Sequence, residues 1–155
     1  MGIFFINLVS QNSNRYHLSI AKMKKILIVE DDLFIRDIYS RVFSIAGFEV
    51  QVASDGSEAL EKIKNGTFYD MLLLDVMMPK MSGIEVLKAL RGLEAPIKDT
   101  PVFIITNLGQ QNIIDDAFKL GMDGYIIKSQ VTPKQLVDEI TTYLTSKETE
   151  NSNEV

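Results

Sequence analysis

Cysteine is absent from the chain, and histidine occurs once, as His17. The first absence excludes disulfides and thiolate metal sites. A single histidine, lying far from any other metal-binding side chain, leaves imidazole coordination without support. No apolar run approaches the roughly 20 residues needed to cross a bilayer. A basic stripe, the electrostatic footprint of nucleic-acid binding, is also missing, and the formal net charge is -5. These absences fit a reducing cytoplasm and a soluble domain with no direct contact to DNA, RNA or membrane.

The first residues lack the marks of a targeting signal. The apolar stretch Ile3 to Val9 has no basic residue before it and no small-residue cleavage site after it. Gly2 is not followed by the Ser or Thr that myristoylation requires, since Ile6 stands there. Residues 1–22 are therefore expected to be a disordered leader or an upstream mis-start, with Met23 opening the ordered part. Residues 147–155 are polar and without periodicity, and are expected to be a disordered tail.

What the chain does have is alternation. Five short apolar runs suit strands: Lys25–Val29, Phe48–Ala53, Met71–Asp75, Pro101–Thr106 and Gly124–Lys128. The first, third and fourth are apolar nearly throughout, as in parallel strands covered on both faces. "FEVQVA" alternates, which suits an edge. Helical patterns separate the runs. Capping boxes start three of them: Asp55 with Glu58, Ser82 with Glu85, and Thr132 with Gln135. Pro133 sits at a first helical position, where its missing N–H costs little. Gly47, Gly66, Gly92 and Gly121 stand where helices should stop. Five strand–helix repeats predict a parallel sheet with helices on both faces, reactive at the carboxyl ends of its strands.

Those ends carry Glu30, Asp31 and Asp32 after the first strand, Asp75 after the third, Thr106 and Asn107 after the fourth, and Lys128 after the fifth. Singly, each has an ordinary structural role; Asp32 is placed to cap a helix. Together they form a cluster of carboxylates with one hydroxyl and one ammonium. Crowded like charges ionise at a cost unless a cation is present. Oxygen-only ligands favour Mg²⁺, which retains waters and takes phosphate oxygens as further ligands. A carboxylate can also be a nucleophile and form an aspartyl phosphate. The inventory matches a site that phosphorylates its own aspartate.

"ILIVEDD", "LLLDVMMPKMSG", "IIT" and "GYIIK", in that order, resemble the response-regulator receiver domains of two-component signalling, among them the chemotaxis receivers. The likeness covers roughly Lys24 to Leu144. It implies a receiver domain over 23–146 with an α/β, flavodoxin-like doubly wound (βα)5 fold and strand order 2-1-3-4-5. It implies that Asp75 is the phosphoacceptor and that Mg²⁺ is bound by Asp31, by Glu30 through water, by Asp75 and by the backbone carbonyl of Met77. Thr106 and Lys128 would bind phosphoryl oxygens, and Thr106 and Tyr125 would form the switch. The donor would be a sensor histidine kinase or a phosphotransfer protein. With no output domain expected, the signal would pass to an effector protein through helix 4, strand 5 and helix 5, or to a homodimer. Such a protein catalyses only its own phosphorylation and dephosphorylation.

Three positions depart from the family's commonest pattern. Ser129 replaces a proline that follows the lysine in a cis peptide. A cis bond before serine costs about 2.5–4 kcal/mol, so a trans or rearranged loop is expected. Asn107 is larger than usual, and Met77 places an apolar side chain beside the site. Two other readings compete. A haloacid-dehalogenase-type phosphatase also uses a strand-end aspartate, but needs a second acid where Met77 stands. A receiver-like binding module that never uses phosphate would explain Asn107 and Ser129, but not the full acidic set.

Overall fold

The computed structural model describes residues 22–107 and 111–152. Residues 1–21, which include the apolar run and His17 and most of the segment expected to be a leader, lie outside the described residues, as do the last three. Five parallel strands form one sheet in the order β2-β1-β3-β4-β5. They are β1 (Lys25–Val29), β2 (Glu49–Ala53), β3 (Met71–Asp75), β4 (Val102–Thr106) and β5 (Gly124–Ile127). The helices are α1 (Leu33–Ile45), α2 (Gly56–Lys64), α3 (Gly83–Arg91), α4 (Gln111–Lys119) and α5 (Pro133–Ser152). The three strands that are apolar nearly throughout are the three central ones, and β3 and β4 are buried at every position. The alternating β2 is an edge strand, as its polar residues require.

Side chains along each strand point alternately to the two faces, so the sheet builds two cores. Leu27, Val29, Leu72, Leu74 and Ile104 pack with Ala59, Ile63, Leu87, Leu90 and Ala117, which come from α2, α3 and α4. Ile26, Ile28, Leu73 and Ile105 pack with Tyr39 and Phe43 of α1 and with Leu136 and Ile140 of α5. Leu73 and Leu74 are fully buried on opposite faces. Truncating either to alanine would cost about 2–5 kcal/mol.

Helix starts are fixed by side chains. Asp32 Oδ1 accepts from Phe34 N and Ile35 N at 2.9 and 3.0 Å, capping α1. Ser82 and Glu85 close a reciprocal box at α3. Thr132 and Gln135 do the same before α5. The expected box at α2 is half formed. Asp55 Oδ1 accepts from Glu58 N, but Glu58 Oε2 turns to Ser54 N and Oγ, one residue earlier. Gly47, Gly66 and Gly121 end helices with positive φ, whereas Gly92 has φ -85 and so is not required by its backbone.

Four boundaries differ from the expected ones. Phe48 donates its N–H to Phe43 O, so β2 starts at Glu49. Pro101 has no N–H to give the ladder, and β4 starts at Val102. β5 ends at Ile127 because Lys128–Gln130 winds into a 3-10 turn. The polar segment expected to be disordered from residue 147 is helical to Ser152. Extending a formed helix adds one hydrogen bond per residue without a new nucleation cost. Glu148 also pairs with Lys24 at 2.6 Å, and Lys147 with Glu150 at 3.5 Å.

Candidate functional site

The register gathers the acidic and basic strand ends along one edge. Val29 lies opposite Leu74, Asp75 opposite Ile105, and Thr106 opposite Ile127. Glu30, Asp75, Thr106 and Lys128 therefore succeed one another across the carboxyl end of the sheet. Glu30, Asp75 and Thr106 are only 2%, 7% and 2% exposed, while Asp31 is exposed. All of them, with Met77 and Asn107, line a cavity of about 270 Å³.

Lys128 is the cation of this cluster. Its Nζ donates to Asp75 Oδ2 at 2.7 Å and to Glu30 Oε2 at 2.5 Å. The other oxygen of each acid is held by main chain. Met77 N donates to Asp75 Oδ1 and Asp32 N to Glu30 Oε1, both at 3.2 Å. Burial pushes the Glu30 carboxyl up to about 7; Lys128 opposes this and the charge of Asp75 adds to it. Burial pulls the Lys128 ammonium down, but its bonds to Asp75 and Glu30 outweigh that and hold it above the ordinary lysine value. The ammonium thus stays charged between two buried acids.

Carboxylate oxygens of Glu30, Asp31 and Asp75 lie within 4.8 Å of one another. Three hard oxygen donors, with no thiolate or imidazole among the residues lining the cavity, fit a small divalent cation such as Mg²⁺. Met77 follows Asp75 at the cavity wall with its side chain 61% exposed.

Of the residues singled out in the sequence, Glu30, Asp31, Asp75, Met77, Thr106 and Lys128 are brought together. Tyr125 is not among the cavity's lining residues; it stands half-exposed on the edge strand β5. Among the described residues the only cis peptide is Ala95–Pro96, so the Lys128–Ser129 bond is trans, as serine predicts. Lys128 still reaches both acids.

Two features were missed. Arg36 Nη1 donates to Glu30 O at 2.7 Å and Asp31 O at 3.2 Å, clamping the turn that presents the acid pair. Its signal was an arginine four residues after the helix cap Asp32, within reach of the preceding turn. The second is an adjoining cavity, also about 270 Å³, walled by Ile38, Tyr39, Val131 and Pro133. It shares Ile35, Asn107 and Lys128 with the first. No local pattern in the sequence announces it, because α1 and the start of α5 meet only in the fold.

Comparison with known proteins agrees with this geometry. The profile of the response regulator receiver domain matches residues 26–141. The transcriptional regulatory protein CpxR of Escherichia coli K12 is 41% identical over 106 residues, 68% of this chain and 43% of that protein. The probable transcriptional regulator ycf27 of Cyanophora paradoxa is 38% identical over 128 residues, 83% of this chain and 50% of its own length. The chain thus spans about half the length of the curated relatives it matches. A CheY-like receiver domain protein from Methanospirillum hungatei superposes with a TM-score of 0.76 at 30% identity, over 83% of this chain and 99% of that one. Response regulator TrrA of Thermotoga maritima, solved in complex with Mg²⁺-BeF, gives 0.67 at 30% identity, over 79% and 99%. Among the described residues no helix is long and apolar enough to cross a membrane. With the match running from the first strand into the last helix, and the strand order of the CheY-type fold, the chain belongs to the response regulator receiver domain family.

Proposed function

We propose that the chain is a phosphorylation-gated switch whose acceptor is Asp75. Receiver domains bind Mg²⁺ through an acidic pocket, and the pocket here is Glu30, Asp31 and Asp75. The observation that carries the reading is a nearly buried Asp75 with one oxygen on the Lys128 ammonium, beside two further acids, in a cavity open to a donor.

In this reading Asp31, Glu30, Asp75 and the Met77 carbonyl would hold Mg²⁺. When bound, it offsets negative charge on the phosphoryl oxygens during transfer. An oxygen of Asp75 attacks the phosphorus of a phosphohistidine presented by a sensor kinase or phosphotransfer protein. The new O–P bond forms as the N–P bond breaks, and the imidazole leaves with the bonding pair. Lys128 and Met77 N fix the rotation of the Asp75 carboxylate for the attack. Lys128 and the Thr106 hydroxyl then bind the transferred group. Thr106 and Tyr125 shift toward a conformation that is already populated at low level. An effector protein, or a second copy of this chain, reads that change on α4, β5 and α5. We place these steps in the cytoplasm. DNA binding is not assigned to this span, although the matched relatives are named as transcriptional regulators.

The experiment is incubation with acetyl phosphate and Mg²⁺ followed by intact-mass analysis. Wild type should gain one phosphoryl group, and Asp75→Asn none. An equal adduct on Asp75→Asn, or none on wild type, overturns the proposal. Mg²⁺ should also raise the unfolding temperature of wild type by linkage, and Asp31→Ala should remove that gain.

A further inference from the structure

The segment after Asp75 leaves the sheet and returns to nearly the same point. Gly83 N donates to Val76 O at 3.2 Å, and a Cβ on Gly83 would lie 2.1 Å from Asp75 O. The loop 76–82 is therefore closed at its base. Its tip, Pro79–Lys80–Met81, is turned on itself by Met81 N donating to Pro79 O at 2.8 Å. Among the described residues Lys80 is the only non-glycine with positive φ, at 66°. A left-handed position ordinarily favours glycine or asparagine.

Lys80 has an ammonium that glycine lacks, and it is engaged. Nζ donates to Asp55 Oδ2 at 2.6 Å. Asp55 is 5% exposed, and its other oxygen caps α2 through Glu58 N at 2.9 Å. Next to it, a Cβ on Gly56 would lie 2.5 Å from Met81 O. The loop tip is thus pressed against the start of α2 at two neighbouring points. An exposed ion pair on a free loop would contribute little. This one ends on a buried carboxylate with both oxygens committed, and is made by a residue in an unfavoured backbone conformation.

We propose that Lys80 and Asp55 are positioning residues for the metal site. The pair holds the 76–82 loop against α2, and so keeps the Met77 carbonyl where Mg²⁺ would take it as a ligand. Neither residue touches the metal or the phosphoryl group. The inference rests on the proposed Mg²⁺-dependent reaction.

The test is calorimetric titration of Mg²⁺ into the full chain, with thermal unfolding measured without Mg²⁺ alongside. Lys80→Gly accepts the positive φ and removes the ammonium. Its Mg²⁺ Kd should weaken by about tenfold, the low end for partners outside the coordination sphere, while relief of the left-handed backbone offsets the lost ion pair and keeps its unfolding temperature close to wild type. Lys80→Arg keeps the charge and should bind within about twofold of wild type, well inside that tenfold effect. Asp55→Asn retains a capping oxygen, loses the charge, and should weaken Mg²⁺ as Lys80→Gly does. Wild-type affinity in Lys80→Gly, or failure of arginine to restore it, overturns the positioning role alone. Absence of saturable Mg²⁺ binding by wild type overturns the role and the proposed function together.

Discussion

Lys128 and Asp75 meet at 2.7 Å although one stands just past β5 and the other ends β3, with β4 between them. Alternate strands are separated by about 10 Å, so only a long side chain closes that gap. The same ammonium reaches Glu30, one strand further on. One flexible cation thus balances acids from two other strands.

Removing that cation should leave two buried acids facing each other without a counter-charge. Lys128→Met is expected to lose about 3 kcal/mol of stability, the lower range for breaking a buried pair from one side. Urea unfolding at pH 8 with EDTA measures it. Added Mg²⁺ should recover part of the loss. A variant as stable as wild type in EDTA would mean that the bridge contributes nothing.

Arg36 makes a second, backbone-directed prediction. Arg36→Met releases the carbonyls of Glu30 and Asp31, and should cost about 1 kcal/mol because water replaces part of a half-exposed bond. Mg²⁺ affinity should fall with it. Arg41→Met is the control. Arg41 is 75% exposed and pairs with Asp37 within its own helix, so its loss should stay within about 0.5 kcal/mol. Equal effects from the two would deny Arg36 its clamping role.

Two glycines should respond in opposite ways. A Cβ at Gly83 meets Asp75 O at 2.1 Å, and backbone must move to admit it. Gly83→Ala is expected to cost about 3 kcal/mol, the upper range for overpacking. At Gly92 the nearest atom is 3.4 Å away and φ is -85. Gly92→Ala should gain about 0.4–1 kcal/mol through the unfolded chain. Denaturation midpoints of the two variants decide the matter.

The acid limb of stability should come from the capping carboxylates. Donation from Ser54 holds the Glu58 carboxyl below its usual value, Lys80 does so for Asp55, and Ser82 for Glu85. A carboxyl lowered by folding stabilises the protein above its unfolded value and loses that contribution as pH falls through its folded value. The urea midpoint should therefore decline between about pH 5 and pH 3. Glu58→Gln should flatten the decline. An unchanged slope would place the acid sensitivity elsewhere.

The central strands were legible because β1, β3 and β4 are apolar on both faces, and their alternation with helical patterns made the covered sheet a parallel one. Once the sheet was parallel, Glu30, Asp31, Asp75, Thr106 and Lys128 had to share an edge. The ends of elements were less legible. Phe48 looks like strand, but its amide serves a helix turn. The polar run after Ser146 has no apolar periodicity, yet it continues a helix nucleated by buried Leu136, Ile140 and Leu144. Arg36 and Lys80 were missed for a common reason. Each acts on a partner that is chosen by the chain's path: a carbonyl in one case, a helix cap 25 residues away in the other.

The bridge between Lys128 and Glu30 joins residues 98 positions apart. Synthesis delivers the chain from its N-terminus, so β1 and β3 can pair before Lys128 exists. Until Lys128 follows, Glu30, Asp31 and Asp75 would lack the ammonium that neutralises them. That lysine comes last, just past the strand that completes the sheet edge. Until that lysine is in place a divalent cation should do most to relieve the acids' repulsion, and no fragment ending before Lys128 can carry the complete site.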